Sequence, residues 1–159
     1  GLPFNAVGWE HVRKLNYLPI EIRALPEGTI ARSGIPLLTI RNTTPESYWL
    51  PCFLETLLLR SIWYPTTVAP ISWRIRKLIL KYLNETGDPS LIDFKLHDFG
   101  ARGVSSGESA ALGGMAHLIN FKGTDTVEAL VAARKYYHEP MAGFSIPAAE
   151  QVTITRWGK

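Results

Sequence analysis

Apolar and polar residues alternate differently before and after about residue 90. In the earlier part, six apolar residues recur at helical spacing: Trp49, Leu50, Phe53, Leu54, Leu57 and Leu58. They predict a helix over Glu46–Trp63, with Pro51 tolerated in its first turn. A basic amphipathic run predicts a second helix over Ile71–Leu83, and β-branched residues on either side of Ser33-Gly34 predict a hairpin over Gly28–Arg41. The pattern indicates an α+β segment.

A polar linker, Asn84–Ser90, then leads into regular alternation. The pattern predicts strand Phe94–Phe99, helix Ser109–Leu118, strand His117–Phe121, a helix from Thr126 to about Tyr137 and strand Gly143–Ile146. Strands that alternate with helices at this spacing favour βαβ units with parallel strands. The fold class is therefore α/β, with a boundary between segments 1–90 and 91–159.

Composition narrows the classes of function. The chain has 159 residues, 46% of them hydrophobic, a net charge of +3 and a pI near 9.1, so it suits a soluble domain that binds a small anion rather than nucleic acid. The basic stripe Arg74, Lys77 and Lys81 is predicted to be a solvated helix face rather than a membrane surface. The single cysteine, Cys52, and the lack of a signal peptide or bilayer-spanning run make the cytoplasm the expected location.

The absence of several short motifs disfavours several enzyme classes. The sequence has no GxGxxG, GxxxxGK[ST] or GxSxG motif and no zinc-ligand spacing, which disfavours a Rossmann dehydrogenase, a P-loop NTPase and a serine hydrolase. His97 and His117 are candidate bases, but each stands in an apolar strand or helix, which favours a structural histidine for both.

Three sites near strand ends remain open to two interpretations. Ser105 and Glu108 fit a capping box, and Arg102 just before them would complete an anion site or simply lie in solvent. Phe99 would stack on a flat ring ligand or pack in the core. Asp125 would accept hydrogen bonds from a ligand amide or cap the following helix.

Longer motifs carry a family resemblance. KLHDFGARGVSS at Lys95–Ser106, the segment ending FKGTDT at Thr126 and FSIPAAEQ at Phe144–Gln151 resemble the nicotinamide phosphoribosyltransferases, type II phosphoribosyltransferases. The resemblance covers nearly the whole chain. It implies that 91–159 forms the start of an (α/β) barrel, with about three βα units, and that 1–90 belongs to a second domain.

The resemblance also implies an activity and a set of residues. Such enzymes join nicotinamide to phosphoribosyl pyrophosphate with Mg²⁺, giving nicotinamide mononucleotide and pyrophosphate in NAD biosynthesis. Phe99 would stack on the nicotinamide ring, Asp125 would accept from its carboxamide, and Arg102 would lie beside the anionic co-substrate. The remaining pocket residues would be Ser145, Ile146 and Ala148, with Glu150 close behind.

Two departures from the family reduce the expected activity. Gln151 occupies the position of the family's phosphorylated histidine, and a carboxamide cannot accept a phosphoryl group, so ATP coupling is not expected. Family members are also much longer. The chain is therefore expected to be a fragment or truncated form without independent turnover, completed by a homodimer or a complementing chain. The alternative is a catalytically dead homologue that acts as a binding or subunit-association module.

Overall fold

The computed structural model describes residues Phe4–Gly158, which form a mixed α/β structure of helices and two small sheets. Its elements are α1 (Ala6–Leu15), β1 (Ile20–Ala24), β2 (Leu38–Asn42), α2 (Leu50–Thr86), β3 (His97–Asp98), α3 (Gly107–Leu118), β4 (Gly123–Thr124), α4 (Val127–Tyr137) and α5 (Gln151–Arg156), with 3₁₀ helices at Pro45–Ser47, Pro89–Phe94 and Gly100–Gly103. Internal contacts define a first compact unit that ends at Arg60 and a second that begins at Ser61. The domain boundary near residue 90 stays a prediction.

The first unit contains an antiparallel hairpin that differs from the predicted one. β2 lies at the end of the predicted Gly28–Arg41 segment, but its partner is the upstream β1, with Glu21 opposite Arg41. The Glu21 carboxylate accepts from both Arg23 and Arg41. The predicted hairpin was wrong, because most of the predicted segment lies in the connection 25–37 between β1 and β2. Gly28 and Gly34 in this connection have positive φ angles of 82° and 87°.

Two helices predicted as separate form one continuous helix, α2, with Pro65 and Pro70 inside it. Proline removes a backbone donor and usually kinks or breaks a helix, which is why the sequence pattern suggested a break. Two hydroxyl side chains near the prolines donate to the helix backbone: Thr67 Oγ1 to Trp63 O at 2.8 Å, and Ser72 Oγ to Ala69 O at 3.0 Å. Four residues on one stripe of this helix line a partly open cavity of about 290 Å³ in the second unit: Tyr64, Val68, Ile71 and Ile75.

The second unit contains the predicted parallel pairing. β3 and β4 run parallel, with His97 opposite Gly123, and Gly123 also forms a parallel bridge with Phe144. The strands are shorter than predicted, because Pro89–Phe94 is a 3₁₀ helix and only His97–Asp98 of the predicted Phe94–Phe99 strand is extended.

The predicted strand His117–Phe121 is also wrong. His117 belongs to α3, whose last turn is prolonged by the hydrogen bond from Phe121 N to His117 O at 3.1 Å. Phe121 is 1% exposed, so the apolar residue that suggested a strand fills the core beneath a helix end instead. The extended residues come slightly later, at Gly123–Thr124.

Small residues let α3 and α4 pack closely. The buried positions on the two helices are mostly alanine and glycine: Ala110, Gly113, Gly114 and Ala116 on α3, and Ala129, Ala132 and Ala133 on α4. A Cβ added at Gly114 would lie 2.5 Å from Ala129 Cβ, so this contact requires glycine. Across residues 4–158, no helix is both long and apolar enough to cross a membrane.

The second half of α2 is fixed to the same unit by Arg76. Its guanidinium donates to Asp93 Oδ1 at 2.8 Å and to the carbonyl of Asn120. Lys122 Nζ lies 3.4 Å from the other Asp93 oxygen. The Arg76 guanidinium is the main cause of a lowered pKa of the Asp93 carboxyl.

Candidate functional site

The parallel pairing brings three predicted site residues to one edge of the sheet. Phe99 directly follows β3, Asp125 directly follows β4, and Ser145 follows the bridge residue Phe144. Side chains just beyond the carboxyl ends of parallel strands share an edge, which is where α/β folds bind ligands. We call Phe99, Asp125 and Ser145, with His97, the strand-end cluster.

Asp125 is held by its neighbours in this cluster. Ser145 Oγ donates to Asp125 Oδ1 at 2.6 Å, and the Asp125 backbone N–H donates to Asp98 O at 2.9 Å. The alternative that Asp125 caps α4 is wrong, since the N-cap of that helix is Thr126. The Asp125 carboxylate therefore remains an acceptor with capacity for a ligand.

Phe99 lies in an exposed position, so the alternative of a core phenylalanine is wrong. Phe99 is 61% exposed, and it directly precedes the 3₁₀ helix Gly100–Gly103. Gly100 N donates to Asp98 Oδ1 at 2.7 Å, which fixes the turn. The Phe99 ring centroid is 4.3 Å from that of His97, with the ring planes inclined by 36°. An aromatic face at a strand end is thus available for stacking.

His97 contacts both Phe99 and Asp125, a position that sequence reasoning missed. Its side chain is only 7% exposed, and Nε2 lies 3.3 Å from Asp125 Oδ2. That contact does not have hydrogen-bond geometry, and neither ring nitrogen has a hydrogen-bond partner. One signal was present in the sequence: His97 and Phe99 are two residues apart, and residues at that spacing face the same side of a strand.

His117, in contrast, is the structural histidine that the sequence predicted. Its Nε2 lies 3.0 Å from the carbonyl oxygen of Gly123, and its ring is stacked on Phe121. Because a carbonyl can only accept, Nε2 carries the proton and donates. Burial lowers the pKa of the His117 imidazole, so the neutral ring is favoured.

The predicted anion site at the start of α3 is arranged differently from the expected capping box. Ser106, not Ser105, is the N-cap, and its Oγ accepts from Ser109 N at 3.1 Å. The helix begins at Gly107, one residue later than Ser105 would require, and Glu108 lies in its first turn. Arg102 is exposed in the preceding 3₁₀ helix.

The other predicted pocket residues follow Ser145 along an extended segment. Ile146 is half-buried, whereas Ala148, Glu150 and Gln151 are exposed. Gln151 is the first residue of α5, and Glu150 holds its N-cap position. The contacts found among residues 4–158 do not connect these four residues to Phe99 or Asp125.

The acidic, histidine and cysteine side chains are spread apart in the described residues. In the part of the chain that the structure describes, no group of three or more His, Cys, Asp or Glu residues could hold a metal ion. The Mg²⁺ expected with phosphoribosyl pyrophosphate stays a prediction. Mg²⁺ commonly binds through substrate phosphates with few protein ligands.

The sequence of this region is similar to that of a known enzyme family. Residues 94–159, which contain the whole strand-end cluster, match the model of the nicotinate phosphoribosyltransferase (NAPRTase) family. The chain belongs to this family of phosphoribosyltransferases. It corresponds to a central part of its longer relatives.

Three relatives carry the name nicotinamide phosphoribosyltransferase. The chain is 54% identical over its whole length to the nicotinamide phosphoribosyltransferase of Xanthomonas campestris pv. campestris. It is 39% identical, over 91% of its length, to the enzyme of that name from Acinetobacter baylyi. The corresponding figures for the Mycoplasma pneumoniae protein are 38% and 74%. The chain spans only 35%, 30% and 26% of these three relatives, respectively.

Proposed function

We propose that this chain supplies the nicotinamide-binding part of a nicotinamide phosphoribosyltransferase active site. The reaction joins nicotinamide to phosphoribosyl pyrophosphate and releases pyrophosphate, a step in NAD biosynthesis. The observation that carries the proposal is the strand-end cluster, in which Ser145 holds the Asp125 carboxylate at 2.6 Å beside a 61% exposed Phe99. The relatives' names give the substrate.

The two arms of the cluster would recognise different parts of nicotinamide. The Phe99 ring offers a face for offset stacking on the pyridine ring. Asp125 offers acceptor oxygens to the carboxamide NH₂, whereas a nicotinate carboxylate would meet a like charge and no donor. This arrangement favours the amide over the acid.

Phosphoribosyl transfer would need cations and positioning near the leaving group. Negative charge grows on the pyrophosphate as its bond to the ribose carbon breaks, so catalysis depends on fixed donors and cations there. Arg102 lies in the turn that follows Phe99, which suits contact with the anionic co-substrate. Mg²⁺ would be bound through the co-substrate's oxygens, and no step here relies on a metal held by this chain.

The rest of the site is proposed to come from elsewhere. We infer that β3, α3, β4 and α4 begin an (α/β) barrel and that 1–90 belongs to a second domain. Since the chain spans about a third of its relatives, turnover would depend on further segments, in a homodimer or a complementing chain. Ile146, Ala148 and Glu150 would approach the ligand in that assembly.

Because of Gln151, phosphoribosyl transfer is proposed to proceed without coupling to ATP. A glutamine side chain can donate and accept hydrogen bonds but is not a phosphoryl acceptor. We therefore expect no phosphorylated residue at this position and no stimulation by ATP. The same residue favours a second candidate function, a binding or subunit-association module that holds nicotinamide without chemistry.

A chimera tests these proposals. The whole chain replaces the matching segment of the Xanthomonas relative, and nicotinamide binding is measured by calorimetry, with pyrophosphate release measured with and without ATP. Asp125→Ala should weaken nicotinamide binding about tenfold or more, because a charged acceptor is lost. Asp88→Ala is the matched control, since Asp88 is an exposed carboxylate that caps the 3₁₀ helix Pro89–Phe94.

Three outcomes separate the functions. Binding with pyrophosphate release that ATP does not stimulate supports the transferase without ATP coupling. Binding without release supports the binding module. Equal affinity in the Asp125→Ala and Asp88→Ala chimeras would contradict the proposed nicotinamide site.

A further inference from the structure

We propose that His97 is a positioning residue that holds the Asp125 carboxylate and the Phe99 ring in the arrangement that selects nicotinamide over nicotinate. This inference rests on the proposed function and adds a specificity-determining residue to it. His97 would touch neither the reacting carbon nor the leaving group. It would act through its two neighbours.

The contacts place His97 between the two arms of the site. Its ring lies 4.3 Å from the Phe99 ring on one side, and its Nε2 lies 3.3 Å from Asp125 Oδ2 on the other. Ser145 occupies the opposite carboxylate oxygen, Oδ1, at 2.6 Å. The carboxylate is thus flanked on both oxygens, which restricts its rotation about the Cβ–Cγ bond.

Burial argues that packing is not the only role of His97. Its side chain is 7% exposed, yet neither ring nitrogen has a hydrogen bond. A buried polar atom without a partner destabilises the folded state, and an apolar side chain of similar size would avoid that cost. The polar atom that Nε2 approaches, Asp125 Oδ2, is an acceptor, so the Nε2–H tautomer is the one that fits.

The opposite strand leaves room for this ring. Gly123 faces His97 in the β3–β4 register, and a Cβ added there would lie 2.7 Å from His97 Nδ1. That distance is shorter than a normal contact, so any side chain at residue 123 would push the imidazole away from its place. Gly123 therefore offers a second way to displace the ring without changing it.

Selectivity for nicotinamide over nicotinate would follow from the orientation of the Asp125 carboxylate. A carboxylate has about four acceptor positions, and Ser145 and His97 together leave a defined set for the ligand NH₂. Without the imidazole packed 3.3 Å from Oδ2, the carboxylate can turn, which weakens its hydrogen bond to the amide. A carboxylate that can turn would also repel the nicotinate carboxylate less strongly. Removing His97 should therefore reduce the ratio of nicotinamide to nicotinate affinity, not only the stability.

The experiment compares two variants of similar length in the chimera with the Xanthomonas relative. His97→Met removes the polar nitrogen that lies 3.3 Å from Asp125 Oδ2, whereas His97→Gln keeps a polar N–H on a side chain of similar length. Dissociation constants for nicotinamide and for nicotinate are measured by calorimetry, with thermal unfolding recorded for each protein. We expect His97→Met to lower the nicotinamide-to-nicotinate affinity ratio about tenfold, and His97→Gln to restore it to within about threefold.

Two further variants separate positioning from stability. Gly123→Ala should lower the affinity ratio in the same direction as His97→Met, since it displaces the ring. His117→Gln should lower the unfolding temperature and leave the ratio unchanged, because His117 serves the packed core. The inference is overturned if His97→Met keeps the wild-type ratio, or if His117→Gln changes the ratio as much as His97→Met does.

Failure of this inference can be distinguished from failure of the proposed function. If Asp125→Ala weakens nicotinamide binding and His97→Met leaves the affinity ratio intact, only the role of His97 is wrong. If neither the chimera nor its variants bind nicotinamide while the proteins unfold cooperatively, both proposals are overturned.

Discussion

The two histidines of the second unit lie near the same strand pair but in opposite surroundings. On the side of α3, His117 donates to Gly123 O at 3.0 Å and is stacked on Phe121. At the strand ends, His97 is similarly buried, but its nitrogens have no hydrogen bonds and its neighbour Phe99 is exposed. The satisfied histidine therefore serves the packed core, whereas the unsatisfied one lies beside the proposed ligand site.

The largest expected effect breaks the packed face. Gly114→Ala adds a Cβ that would lie 2.5 Å from Ala129 Cβ, so α3 and α4 must move apart. We expect the free energy of unfolding to fall by about 1–3 kcal/mol. Chemical denaturation of the full chain measures this. Gly107→Ala is the control, because a Cβ there meets nothing within 4 Å.

A compensating change sharpens the same prediction. Ala129→Gly should restore much of the stability lost in Gly114→Ala, because it removes the atom that the new methyl group meets. A double variant no more stable than Gly114→Ala alone would show that this contact does not limit the approach of the two helices.

The next effect concerns the clamp between α2 and Asp93. Arg76→Gln removes the charged partner of Asp93 and a donor to Asn120 O, and should reduce the free energy of unfolding by about 1–2 kcal/mol. The control is Arg74→Gln, two residues away on the exposed side of the helix. Equal stability of these two variants would contradict the clamp.

This clamp also has a pH signature. The pKa of the Asp93 carboxyl is lowered in the folded state, chiefly by the Arg76 guanidinium. Its contribution to stability is therefore complete above the ordinary carboxyl pKa of about 3.9 and is lost as the pH falls through the folded-state value. Arg76→Gln should lose less stability than the wild type over that acidic range.

The smallest expected effect concerns His117 itself. Burial lowers its pKa in the folded state, so the unfolded chain binds a proton more readily. Stability should fall as the pH drops below the unfolded value of about 6.5, with a slope below about 1.4 kcal/mol per pH unit. His117→Gln should flatten this slope, measured by denaturation between pH 7 and 5. His138→Asn, which keeps a residue that tolerates the positive φ of 57° at this position, should not.

Sequence periodicity predicted the elements whose packing is local. α3 and α4 and the parallel pairing between them follow from helical spacing and strand–helix alternation. α2 could not be predicted as one helix, because local rules count Pro65 and Pro70 as breaks, whereas packing of Tyr64, Val68 and Ile71 along one stripe continues through them. The hairpin was missed because pairing of β1 with β2 is a long-range choice.

The candidate site was predictable in part. Phe99 and Asp125 follow strands in the sequence, so their common edge could be expected. The Ser145–Asp125 hydrogen bond joins residues 20 apart and depends on the register of Phe144 with Gly123. His97 was assigned a structural role because periodicity places it in an apolar strand and cannot show that its nitrogens lack partners.

The shortness of β3 and β4 has a kinetic consequence. Each strand has two residues, and their register joins His97 to Gly123, 26 positions along the chain, with the 12-residue α3 between them. Closing such a loop is entropically costly for so few strand hydrogen bonds, so strand pairing should await the formation of α3 and its contact with α4. The ligand pocket would then be the last region to form and the first to open. A ligand that binds only the finished pocket, as proposed for nicotinamide, would slow the chain's earliest step of unfolding.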